Sequence, residues 1–361
     1  MTRSKKPNVS FAVKVMFFAN IVLAGVTFLS FLTPFIHPKY FWVFSIIGLF
    51  FPIYMLLHSG FLAYWLFTYR KKIWLSFFCL VFGFQHIQNY VGFHSNEMLI
   101  DEEKTFQMAT FNISYGYFQI EKNKVSKKEN SLLLAEKLEA LKEVDIICFQ
   151  EVGDYVYNIL KKSFPKHKSY RIEKGVVIFS KFPIGNKGFI EFGTFTNSCI
   201  WADVTIKGEK VRIYNFHLQS NKVSKDADGI VENLQKNENV KWYKDIKGIL
   251  RKYKNTNISR SRQIDKVVNH MEQCPYPFLV GTDMNDVPVS YIYRQISKIS
   301  SDAFRERGKG LGTTYAGNIP LLRIDYLFYS KTFRCLQYKT PTTNISDHYP
   351  VVATLSHHFE N

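Results

Sequence analysis

Acidic side chains are almost absent from the first hundred residues of this 361-residue chain, where Glu97 stands alone. The exposed surface of a soluble domain carries charges of both signs, so this stretch is not one. The five cysteines (Cys79, Cys148, Cys199, Cys274 and Cys335) show no CxxC or CxxH spacing. That excludes a cysteine-based zinc module and indicates no disulfide framework, so they read as core residues. No segment repeats another, which sets solenoids and propellers aside.

Apolar residues crowd the N-terminal quarter instead. Runs over 15–35, 41–69 and 73–93 each reach the roughly 20 residues that a helix needs to cross a bilayer. Pro34 ends the first, Pro52 and His58 interrupt the second, and Gln85, His86, Gln88 and Asn89 crowd the end of the third. The first run is too long for the core of a signal peptide, and another apolar run follows it at once. The expectation is a membrane anchor over 1–96 with three transmembrane helices. Arg3, Lys5, Lys6 and Lys14 precede the first run, and Arg70-Lys71-Lys72 separate the second from the third. The positive-inside rule then puts the amino terminus in the cytoplasm. After three crossings the remainder lies outside the cytoplasmic (inner) membrane, on the periplasmic side. A third run lying flat on the surface would reverse that side.

From 97 to 361 the composition is that of a soluble domain. The chain carries a formal charge of +17, of which the part beyond residue 100 holds +10. Such a surface attracts nucleic acid, anionic lipid or a phosphorylated metabolite, though solubility alone also explains it. No protein partner can be inferred. Apolar periodicity predicts strands over 105–113, 145–150, 176–179, 199–206, 211–216, 278–282, 324–329 and 351–355. It predicts helices over 131–144, capped by Ser131, and over 260–273. Mixed strands and helices of this number suggest a layered α/β domain. Residues 219–259, rich in Lys and Asn, read as an inserted basic lobe with a helix over 242–253.

Polar groups gather where the apolar strands end. They are Asn112, Gln150-Glu151, Asn215-Phe216-His217, Asp283-Met284-Asn285, Arg323-Ile324-Asp325 and Ser346-Asp347-His348. Each alone is an ordinary turn or loop signal. Six in order describe a site built on the rim of a sheet.

This ordered set resembles the endonuclease/exonuclease/phosphatase superfamily over about 104–356, which includes DNase I-like nucleases, apurinic endonucleases, sphingomyelinases and inositol-polyphosphate phosphatases. Ile345-Ser346-Asp347-His348-Tyr349-Pro350-Val351 is the most specific match. The closest impression is of a bacterial membrane-tethered branch. The resemblance implies a four-layer α/β sandwich of two stacked sheets with the site at their common rim. It also implies Mg²⁺-dependent hydrolysis of phosphate esters, with Mn²⁺ as a substitute. Such a cation takes oxygen ligands, here Glu151 with Asn112 and Asp347. His348, oriented by Asp325, would take a proton from water. Asp283 and Asn285 would position water or phosphate, and His217 would donate to a phosphoryl oxygen. Asn215, and Lys309 and Thr313 in the glycine-rich loop 308–315, are candidates for substrate binding, although that loop also reads as a connector.

Two departures leave the substrate open. Ser114 stands where apurinic endonucleases place an acid, and Leu321 to Tyr326 lack the inositol-phosphatase motif. A catalytically silent scaffold of the same fold is the alternative, against which every expected polar position is filled. A small transporter is excluded because the soluble part is about three times longer than the apolar one.

Overall fold

In a computed structural model of the chain, residues 10–94, 105–194, 197–220, 242–317 and 322–357 are described. Helix α1 (Phe11–Leu32) is capped by the Ser10 hydroxyl and runs about 33 Å at 1.5 Å per residue. With the turn that follows, Phe11–Phe35 is the one described helix long and apolar enough to cross a bilayer unaided. The short α2 (Pro38–Phe41) leads into α3 (Val43–Leu49) and α4 (Phe51–Phe67), which meet at a 53° break and count together as a second candidate. Helix α5 (Ile73–Ile87) has only 15 residues. At about 22 Å it falls short of a hydrocarbon core of roughly 30 Å.

The expectation of three transmembrane helices is therefore corrected to one, or two if the bent pair is a single span. Pro52 sits in the first turn of α4, where it cannot continue a preceding helix, and the polar residues after Phe84 bring α5 to an early end. The outward placement of the domain rested on three crossings and loses its basis with them. Helices α1, α4 and α5 nonetheless pack side by side around polar groups. His58 contacts Thr27 Oγ1 at 3.0 Å and Ser76 Oγ at 3.1 Å, and Ser76 donates to Asn20 at 2.9 Å.

Beyond a short strand β1 (Val91–Phe93), two six-stranded sheets dominate. Sheet one is built from β2 (Thr105–Asn112), β3 (Ile146–Gln150), β4 (Lys168–Ile172), β5 (Val176–Ser180), β13 (Phe333–Lys339) and β14 (Val351–His357). Sheet two holds β6 (Ile184–Ile190), β7 (Ser198–Ile206), β8 (Glu209–His217), β9 (Phe278–Asp283), β10 (Ser301–Asp302) and β12 (Asp325–Tyr329). The remaining strand, β11 (Lys309–Leu311), pairs with β1. Spatial order is β13-β14-β2-β3-β5-β4 in one sheet and β10-β12-β9-β8-β7-β6 in the other.

Apolar residues from both sheets, among them Met108, Ile146, Cys148, Ile178, Ile200, Ile213, Leu279 and Leu327, form the core between them. The outer face of sheet one is covered by helices α7 (Lys127–Leu138) and α8 (Asp154–Ser163), which follow the single turn and a half of α6 (Phe118–Asn123). The outer face of sheet two is covered by α9 (Trp242–Glu272) and α10 (Tyr291–Ser297), with α11 (Ala303–Arg307) beside its edge. Helix, sheet, sheet, helix is the expected four-layer sandwich.

Some boundaries differ from expectation. Helix α7 begins after Ser126, whose hydroxyl accepts from Glu129 N at 3.2 Å, while Ser131 lies inside it. The helices expected over 242–253 and 260–273 are one helix, α9, so that part of the basic lobe belongs to the outer layer. Residues 221–241 of the lobe lie outside the described residues. The half-exposed strands β4 and β6 and the antiparallel β13 escaped notice because their apolar alternation is interrupted by Lys, Arg and Gly.

Among the described residues, parallel pairing occurs only between β2 and β3 and between β8 and β9. Those four strands end on one rim. Antiparallel β14 and β12 begin there, so residues just before or at their starts arrive at the same place. Gly281 lets the sheets approach: a Cβ there would lie 2.6 Å from Cys148 Cβ and 3.1 Å from Thr110 Cβ. Gly281→Ala should destabilise the detergent-solubilised full chain by about 1–3 kcal/mol. Gly248→Ala, in open space on α9, should stabilise it by up to about 1 kcal/mol. Denaturant midpoints of both variants measure this; equal midpoints would mean that the sheets do not meet at Gly281.

Candidate active site

Cross-strand register assembles the rim. His217 pairs with Asp283 across β8 and β9, and Asp283 with Asp325 across β9 and β12. Asn112 pairs with Gln150 across β2 and β3. Asp283 and Asp325 are both fully buried. Asp283 Oδ2 accepts from Asn112 Nδ2 at 2.8 Å, linking the two sheets, and Oδ1 accepts from Asn285 N at 2.8 Å. The same Oδ2 lies 3.5 Å from His217 Nε2 and 3.9 Å from His348 Nε2.

His348 faces Asp325 through Nδ1, at 2.9 and 3.2 Å from the two carboxylate oxygens. Its loop is pinned by Ser346, whose hydroxyl donates to Asn112 O at 2.8 Å and accepts from His348 N at 3.1 Å. Thr314 Oγ1 accepts from Ile324 N and Asp325 N, fixing the start of β12. The Tyr315 ring stands edge-on to the His348 ring, with centroids 5.2 Å apart. Burial raises the Asp325 carboxyl above the usual carboxylate range, while His348 opposes the rise. Burial alone would lower His348, but Asp325 and Asp283 outweigh it and raise the imidazole. Two acids thus face the His348 ring and favour its charged form.

Glu151 follows β3 with its side chain 24% exposed and Oε1 3.7 Å from His217 Nε2. That nitrogen is buried and has no hydrogen-bond partner among the described residues. Asp347 is half-buried, and Ser114 Oγ donates to its Oδ1. Strain gathers on the same rim. Of the six non-glycine residues with left-handed backbone among those described, Ser114, Tyr115, Glu151 and Asn285 lie here. Such conformations cost about 1–3 kcal/mol each and persist where the surroundings impose them.

These groups line a cleft of about 750 Å³. His217, Asn285, His348, Glu151 and Asp347 reach it. Asn112, Asp283 and Asp325 support it from beneath. Three expected substrate contacts lie elsewhere. Asn215 is buried between the sheets, its Nδ2 donating to Phe149 O and Val177 O at 2.9 and 2.8 Å, its Oδ1 accepting from Gln150. Lys309 is exposed on β11, and Thr313 is not among the residues lining the cleft. A polar residue at a strand end looks the same in sequence whether it faces the cleft or the other sheet.

Sequence reasoning missed Tyr115, Asn197, Tyr315 and the Arg260–Asp286 pair, which all line the cleft. Arg260 Nη1 lies 3.4 Å from Asp286 Oδ2, and both side chains are buried. Asp286 follows Asn285 directly, which was the one available signal; Arg260 on α9 offered none.

Residues 109–348 match the Endonuclease/Exonuclease/phosphatase family. The chain belongs to that family. Residues 13–90 match a domain of unknown function. Among solved structures, a family member from Bacteroides thetaiotaomicron superposes with a TM-score of 0.54 at 16% identity, covering 71% of this chain and 98% of that one. One from Bacteroides vulgatus gives 0.52 at 15%, covering 70% and 99%. A mannosyl-6-phosphatase from Bacteroides thetaiotaomicron gives 0.50 at 16%, covering 69% and 99%. At such identities the likeness speaks for the fold alone. A comparison with curated proteins gives no match.

This family member ties its sheets together at Asn215. Asn215→Ala should lower stability by about 1–3 kcal/mol, since Phe149 O and Val177 O lose their donor. Denaturant unfolding measures the loss. A variant of unchanged stability but weakened substrate binding would return Asn215 to the cleft.

Proposed function

We propose that the chain is a metal-dependent hydrolase of phosphate esters held at a membrane by its N-terminal helices. The observation that carries this reading is the meeting, at one cleft, of Asp283, Asp325 and His348 with His217 and Glu151, drawn from distant parts of a family fold. The donor set suits Mg²⁺ or Mn²⁺. Glu151 and Asp347 present carboxylate oxygen at the cleft, and Asn112 Oδ1, which accepts from Ser114 N at 3.0 Å, keeps a second lone pair. Among the described residues, ligand-type atoms of Asp283, Asp325 and His348 instead lie within 4.8 Å of one another. We favour Glu151 and Asp347 with Asn112 Oδ1 beneath them, because Asp325 is committed to His348 and Asp283 is kept for the attacking water. A bound cation supplies neutralisation of the phosphoryl charge.

The chain's own residues perform the rest. Asp283 Oδ2, facing both imidazoles, orients the attacking water and takes its proton. His348, kept charged by its two acids, donates to a phosphoryl oxygen, and Asp325 holds the ring by Nδ1. His217, with Nε2 uncommitted and directed between Glu151 and Asp283, donates to a second phosphoryl oxygen. Asn285, fixed by its bond to Leu218 O at 3.1 Å, borders the phosphate.

The full chain in detergent should hydrolyse bis-p-nitrophenyl phosphate with Mg²⁺ or Mn²⁺, and EDTA should stop it. Glu151→Gln should remove most of the rate, Asp283→Asn should lower kcat about a thousandfold, and Asp325→Asn at least about tenfold. Steady-state kinetics on the purified variants decide. Turnover that survives both EDTA and Glu151→Gln rules out the metal reading, and no turnover of any phosphate ester leaves a silent scaffold.

A further inference from the structure

Among the described residues, the N-terminal helices contribute one residue, Leu49, to the cleft lining. The last residue of α3, it lines the cleft beside Lys252, Tyr253, Thr256 and Arg260 of α9. The contact that puts Leu49 there is tight. A Cβ on neighbouring Gly48 would lie 2.5 Å from Val289 O, so only glycine permits this approach. The Tyr253 hydroxyl donates to Ser45 O at 3.1 Å. Phe51, Met55 and Tyr90 pack with Val287 and Val289, just beyond Asn285. Arg323, two residues before Asp325, donates to Asn89 O at 2.9 Å.

Immediately after Leu49 the chain turns to open apolar surface. Phe50 is 43% and Ile53 50% exposed, and Leu56 a turn further on is 72% exposed. Cleft lining thus passes within about one helical turn into a helix surface of the kind that faces hydrocarbon. On the same side the cleft carries the cation Lys252, while Arg260 is paired with Asp286.

We propose that the substrate is a membrane lipid bearing a phosphate ester, its headgroup entering the cleft past Leu49 while its hydrocarbon stays against α3 and α4. This rests on the hydrolase reading above. A cleft of about 750 Å³ fits a headgroup. Lys252 lies where a further anionic oxygen of that headgroup comes to rest. Nucleic acid needs a basic groove open along its length, and among the described residues Leu49 stands on one side of the cleft. In the reaction, water adds to phosphorus and the bond from phosphorus to one ester oxygen breaks. That oxygen leaves as an alcohol, carrying a proton.

The test reconstitutes the full chain in phosphatidylcholine vesicles doped with phosphatidic acid, phosphatidylglycerol or a prenyl phosphate. Bis-p-nitrophenyl phosphate and a single-stranded oligonucleotide are supplied in the aqueous phase. The expected result is hydrolysis of at least one lipid of the bilayer. Leu49→Asp should reduce that rate about tenfold more than it reduces turnover of the soluble diester. Leu49→Gln replaces the aspartate variant if thermal unfolding shows the latter to be misfolded. Soluble diester consumed with every lipid intact overturns this inference and leaves the hydrolase standing, as does an oligonucleotide cut faster than any lipid. Equal loss on lipid and soluble diester in the folded Leu49 variant removes the proposed entry past Leu49. No turnover of any phosphate ester defeats the hydrolase reading and the lipid substrate with it.

Discussion

Two carboxylates, Asp283 and Asp325, sit fully buried and directly paired across neighbouring antiparallel strands. Buried charges are tolerated only when hydrogen bonds and opposite charge offset lost hydration. That requirement organises everything around them. Asn112 reaches over from the other sheet, Asn285 turns its backbone N–H inward, and His348 binds Asp325 through Nδ1. The same acids face His348 and favour its charged form, and Asp325 fixes the direction in which the ring points. Ser346, Thr314 and Gln150 then hold the loops and the sheet junction in place.

The N-terminal helices pack directly on the sandwich. Their near ends reach residues two to four positions from Asp283–Asn285 and Asp325, through Val287, Val289 and Arg323. His37 contacts Asp265 at 3.2 Å and Arg294 lies over the Phe35 ring, so α9 and α10 are engaged as well.

Much of the sandwich was legible in sequence because buried strands are short apolar runs ending in polar groups, a local pattern. The core strands β2, β3, β5, β7, β8, β9, β12 and β14 all carry it. The strands β4, β6 and β13 do not, since Lys168, Arg171, Lys187 and Arg334 face solvent beside their apolar neighbours. Helix α9 was read in two pieces because its basic half shows little apolar periodicity and is held by packing on α2 and α3. The anchor was overcounted for a related reason: apolar content measures burial or lipid contact, while crossing a bilayer also needs an unbroken helix, and α3–α4 bends.

By itself the sequence determined the family, the layered fold and the set of acids and imidazoles, because residue type and order are one-dimensional facts. Tertiary structure decided which of them face the cleft. Asn215 and His217 lie two apart on one strand and so share a face, yet Asn215 is bonded across to the other sheet while His217 reaches the rim. Depth along a strand depends on where the neighbouring strands stop, which no local pattern records. Structure alone also brought Leu49, Arg260 and Tyr315 to the cleft, across sequence separations that only the packing of whole layers can close.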